Sequence, residues 1–154
     1  MFTQIEANLT RQFKSLELLQ SLLDEEFELL TKRDIDAVTA LEFSIHELLR
    51  QIARERMALK EQMQGVKLLE YATMLPDEEA TKVTKLFHLI DGLEQRSSRQ
   101  ASQNAEMSLA LMDQSQSLLT YLHNQITPRP ANTYGAAGRM KNERPRAAIF
   151  SGRF

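Results

Sequence analysis

The chain has 154 residues, 42% hydrophobic and 26% charged, with a net charge of −2, five glycines, four prolines and no cysteine. That length suffices for one domain and leaves little for a second to bury, and the low glycine and proline content fits an all-helical protein. Without cysteine there is no disulfide framework, thiolate metal site or cysteine nucleophile.

The net charge conceals an asymmetry. Residues 127–154 carry six Lys or Arg against Glu143 alone, a balance of +5, so the first 126 residues carry −7. A basic tail on an acidic body predicts an electrostatic contact, with the body itself, an acidic partner or a nucleic acid. The first ten residues (MFTQIEANLT) contain Glu6 and no apolar run, unlike a signal peptide. The longest apolar runs are four residues, so no membrane insertion is expected.

From Phe2 to about Leu30, the residues Phe2, Ile5, Leu9, Phe13, Leu16, Leu19, Leu23, Phe27 and Leu30 recur every three or four positions. This predicts a helix over 2–31 with one coiled-coil-like stripe. Asp34 has the chemistry of an N-cap and opens a second helix over 35–64. There Val38, Leu41, Ile45, Leu48 and Ile52 alternate by three and four, and Leu59 and Met63 continue the series past a softened register at Arg56. Leu41, Ile45 and Leu48 are expected deep in the core, with Met57 and Met63 filling it. The short connection makes the two helices antiparallel. Gln64-Gly65 is a suitable stop, because glycine accepts a left-handed cap. A short helix within Val66–Thr73 then precedes Leu75-Pro76.

The third long helix is predicted over 77–126, about 50 residues and 75 Å at 1.5 Å per residue. Proline is tolerated in a first turn, and Asp77, Glu78 and Glu79 complement the positive dipole end. Its seam is apolar at the start (Val83, Leu86, Phe87, Ile90, Leu93) and at the end (Leu109, Leu111, Leu118, Leu119, Leu122). Between them it thins to a waist of Ser97, Ser98, Ala101, Ser102 and Asn104. About 20 residues exceed what the first two helices can cover, so the half from Met107 to Ile126 is expected to be loosely held. An apolar face without an internal partner is a binding surface. The helix stops before Thr127-Pro128, since the residue preceding proline resists the helical region. The fold expected is therefore an all-α, antiparallel three-helix coiled-coil-like bundle over 1–126, with a long third helix and a flexible basic tail over 127–154.

Catalytic chemistry is not encoded. His46, His88 and His123 lie on separate stretches, and Glu42 and His46 form a single i, i+4 pair rather than a di-iron motif. Asp24-Glu25-Glu26 winds around its helix and reads as a solvated face. No phosphate loop, Ser-His-Asp set or metal-ligand spacing occurs, so neither cofactor nor metal is expected. The tail interleaves its basic residues with Tyr134, Phe150 and Phe154, as some RNA-binding tails do, but the acidic body repels a phosphate backbone. No nucleic-acid partner is expected.

The long third helix followed by Tyr134-Gly135-Ala136-Ala137-Gly138, with Ile149-Phe150-Ser151-Gly152-Arg153-Phe154 at the end, resembles the FlgN-type flagellar export chaperones over essentially the whole chain. The resemblance implies a soluble cytoplasmic protein that holds the C-terminal helical segments of hook–filament junction proteins of the FlgK and FlgL type. Such chaperones keep their cargo unassembled and deliver it to the export gate. It implies a cargo face on the last part of the third helix, here Met107, Leu111, Leu118, Leu119, Tyr121 and Leu122. It also implies docking of Tyr134, with Gly135 and Gly138, on the cytoplasmic domain of the export-gate protein FlhA. The alternative is a self-assembling coiled-coil scaffold, in which Leu111 and Leu118 are buried in a constitutive oligomer. A chaperone leaves that face available or only weakly self-associated.

Overall fold

The structure, a computed structural model, describes residues 1–127. Four helices follow in order: α1 (Phe2–Lys32), α2 (Ile35–Met63), α3 (Leu68–Thr73) and α4 (Asp77–Ile126). The described residues are helical apart from short connections, an all-α bundle. The chain divides into one compact unit, Met1–Asp113, and a second from Gln114 onward, of which residues 114–127 are described.

In the first unit, α1 buries Ile5, Leu9, Gln12, Leu16, Leu19, Leu23, Glu26 and Leu30, an alternation of four and three, with Asn8 buried beside Leu9. The seven-residue repeat expected of a coiled-coil stripe is present, but it passes through two polar residues. Phe13 is only half-buried and Phe27 is exposed. The reason is geometric: seam positions follow the helical period, and Phe13 and Phe27 sit one residue off it.

Asp34 caps α2 by accepting a hydrogen bond from the Ala37 N–H at 3.1 Å. Ile45, Leu48, Ile52 and Met63 are buried on this helix. Leu41, expected to be equally deep, is half-buried, and Met57, expected as core fill, is exposed. α2 ends in two successive left-handed residues, Gln64 (φ 50°) and Gly65 (φ 88°). Beyond them Ala72 joins the core cluster that also holds Ile5, Met63 and Val83, with Leu68, Tyr71 and Leu75 packed against it. The short α3 thus closes the crossover with its own apolar contacts.

Helix directions follow from the hydrogen bonds. Asn8 and Arg11 meet Glu55, while Glu26 meets Glu42, so α1 and α2 run antiparallel. Gln20 meets Ser97 and Glu26 meets Asn104, so α4 runs parallel to α1 and the bundle is up-down-up. Ile45 lies 5% exposed at the centre of this arrangement. Ile45→Ala is expected to lower stability by about 2–4 kcal/mol, as large-to-small core changes do. Chemical denaturation measures it, and a loss below about 0.5 kcal/mol, outside that range, would be incompatible with the buried position.

Candidate functional site

Along α4 the buried residues are Val83, Ile90, Ser97 and Asn104, each seven from the last. The first two are apolar and the second two are polar. The waist is therefore packed through polar side chains. Ser97 Oγ donates to Gln20 Oε1 at 3.1 Å. Asn104 Nδ2 donates both to the Leu23 carbonyl oxygen (2.8 Å) and to Glu26 Oε2 (2.7 Å). Gln100 Nε2 donates to Asn104 Oδ1 at 3.0 Å, which orients the amide.

Glu26 belongs to the acidic run that reads as solvated. Asp24 and Glu25 are indeed exposed, but Glu26 is only 7% exposed. Burial pushes its carboxyl up to about 7, and a hydrogen bond with Glu42 pushes the same way. The Asn104 amide and the charge of His46 pull it back down. His46 Nε2 lies 3.3 Å from Glu42 Oε2. One carboxyl-centred cluster therefore joins α1, α2 and α4.

A second polar layer lies toward the other end. Gln12 Nε2 donates to Asn8 Oδ1 (2.6 Å), and Asn8 Nδ2 donates to Glu55 Oε2 (2.7 Å) and to its backbone carbonyl (2.9 Å). Arg11 Nε and Nη2 clamp the Glu55 carboxylate at 2.7 and 3.0 Å, which holds it below the usual carboxylate range. Arg56 pairs with Glu94, tying α2 to α4.

Past Asn104 the character of α4 changes. Met107 and Leu111 are half-buried, and every residue from Met112 to Thr127 is exposed. Leu118, Leu119, Tyr121 and Leu122, the other proposed contact residues, are among them. At 100° per residue, Leu118 and Leu122 lie about 40° apart on the helix, with Leu119 and Tyr121 about 60° to either side. Ile126, four residues past Leu122 and 80% exposed, extends this face. Sequence reading left it out of the site, although its spacing was the available signal.

Tyr134, Gly135 and Gly138, with the rest of the basic tail from residue 128, lie outside the described residues. Among the described residues no cluster of His, Cys, Asp or Glu is placed to hold a metal, and no helix is long and apolar enough to cross a membrane. The concavity lined by Asp91, Glu94, Gln95, Ser98 and Arg99 is an open furrow along α4 alone.

A long helix with an uncovered apolar arc is suited to grip another helix. Compared with models of known protein families, the sequence matches the one described as FlgN protein over residues 1–142. The chain belongs to the FlgN family. That family is one of flagellar export chaperones, so this chain has a chaperone role in flagellar export. The matched stretch takes in α1 to α4 and runs on through Tyr134, Gly135 and Gly138. Comparison with curated proteins and with solved structures gives no match.

Proposed function

We propose that this FlgN-family chain binds the C-terminal helical segments of hook–filament junction proteins of the FlgK and FlgL type. It keeps them unassembled in the cytoplasm and delivers them to the cytoplasmic domain of FlhA. The observation that carries the cargo half is that Leu118, Leu119 and Leu122 are all exposed on one helix. A segment that must later polymerise has its own apolar stripe, and a second amphipathic helix can cover it in water. Burying about 400 Å² of apolar surface on each side is worth roughly 20 kcal/mol gross. Association and ordering costs absorb most of that. What remains suits a partner that must be held and then handed over.

The test is a titration of the full chain with a synthetic peptide of the C-terminal helix of a junction protein. Saturable binding with a gain of peptide helicity is expected, and no binding at a hundredfold molar excess would overturn the proposal. Family membership counts against the self-assembling scaffold.

Delivery is assigned to Tyr134. Its neighbours Asn132, Thr133 and Gly135 offer no local apolar core for the ring. A single aromatic anchor entering a pocket on the gate fits that setting, and Gly135 and Gly138 allow the backbone to pass close over the surface. Tyr134→Ala is expected to weaken binding of the cargo-loaded chaperone to the isolated FlhA domain by about 2 kcal/mol or more, in the range of an interface hot spot. Cargo affinity should not change. Undiminished gate affinity would remove Tyr134 from this role.

A further inference from the structure

The charges of α4 stop at Asp113. Residues 77–113 of this helix carry 11 Asp, Glu, Lys or Arg, and residues 114–127 carry none. All of these last residues are exposed. Helix surface left to water is normally charged, whereas depletion of Lys, Glu and Asp with enrichment in Tyr is the composition of an interface centre. We infer that the cargo segment is recognised through an uncharged contact: amide and hydroxyl side chains flank its apolar stripe, and Lys, Arg, Asp and Glu at those flanks are rejected. This rests on the cargo reading of α4 and specifies the chemistry of the partner.

The first support is what holds this stretch helical. Without Asp, Glu, Lys or Arg it can form no carboxylate ion pair of the kind that joins Glu47 to Arg50 at 3.4 Å on α2. Helices owe most of their stability to packing of an apolar face. Here that face is exposed, so the packing must come from a partner.

The second is the border of the face. At 100° per residue the apolar arc spans about 160°, from Tyr121 through Leu118, Leu122 and Ile126 to Leu119. Ser117 and Asn124 follow beyond Tyr121, and Gln116 and His123 beyond Leu119. Hydroxyls and amides both donate and accept, so this border can satisfy the same groups on a partner helix.

A carboxylate or ammonium on the partner's flank meets no opposite charge here. Covering it costs desolvation that no ion pair offsets. The discrimination therefore comes from an unpaired group on the wrong partner rather than from added attraction to the right one. Acidic surface is plentiful elsewhere, as at the exposed Asp24, Glu25 and Glu28 of α1, and it is missing where the exposed leucines are. Capture without charge is also insensitive to salt, because screening acts on charges.

The junction-protein peptide, titrated into the full chain at ~0.05 and ~1 M NaCl, is expected to bind with affinities within ~3-fold of each other. Two double variants read the sign of any charge on the partner. Gln116→Lys with Asn124→Lys, and Gln116→Glu with Asn124→Glu, alter side chains that are exposed in the free chain, so the fold is kept. Both are expected to weaken binding at least ~5-fold, whichever sign they introduce. A loss of ~10-fold or more at high salt overturns the inference and leaves the cargo reading standing. Tighter binding by either double variant, or unchanged binding by both, does the same. No binding by the wild-type chain at either salt concentration overturns the cargo reading and the inference with it.

Discussion

Replacing Leu118 and Leu122 together by Asp is expected to weaken cargo binding at least ~100-fold, with little change in thermal stability. Each leucine contributes about 1.5–3 kcal/mol when fully covered. Each introduced carboxylate must in addition be desolvated against an apolar stripe, which costs further. Two such changes one turn apart on one face exceed the ~2.8 kcal/mol that a hundredfold requires. In the free chain both side chains are exposed, Leu118 at 58% and Leu122 at 44%, so little core is lost. Peptide titration and a thermal melt of the same variant give the two readings. Full affinity would place cargo elsewhere, and unfolding would mean that the face supports the bundle.

Asn104→Asp is expected to cost about 3–5 kcal/mol at pH 8, in the range for an uncompensated buried charge. The amide donates to the Leu23 carbonyl and to Glu26, and an aspartate offers acceptors to both. It also becomes a second buried carboxyl beside Glu26. Burial and like charge raise the new group's pKa in the folded state above its unfolded value of about 3.9. Stability is then greatest below that unfolded value, where a protonated Asp can again donate, and it falls as pH rises through the folded one. Denaturation at pH 5 and pH 8 should therefore show a smaller deficit at pH 5. An equal deficit would assign the cost to packing rather than charge.

The polar layers also explain why this bundle has one alignment. Leucine-rich seams tolerate a slip of seven residues, because leucine meets leucine again. Sliding α4 by one heptad would take Asn104 from Glu26 to the level of Leu16 and Leu19, leaving two buried donors and a carboxyl unpaired. Each unmade bond of a buried polar group costs about 1–3 kcal/mol. Asn8, Gln12 and Glu55 act likewise between α1 and α2, where Arg11 adds a charge that compensates Glu55. Among the described residues Glu26 has no such clamp; its hydrogen-bond partner from α4 is the neutral Asn104 amide.

Much of this protein is legible in one dimension. A spacing of three and four makes amphipathic helices, Asp34 carries a cap, and Leu118 and Leu122 lie one turn apart on any helix that contains them. These are local properties, because helical periodicity and capping involve residues within four positions of each other. Tertiary structure decided which seam residues are core. Gln12, Glu26, Ser97 and Asn104 look like surface or a weak waist, and all four are buried. Phe13 and Phe27 look like core, and neither is. The physical reason is distance along the chain: a polar side chain is stable inside only when a partner satisfies it, and the partner of Asn104 stands 78 residues away at Glu26. The parallel course of α1 and α4 rests on that same long-range pairing.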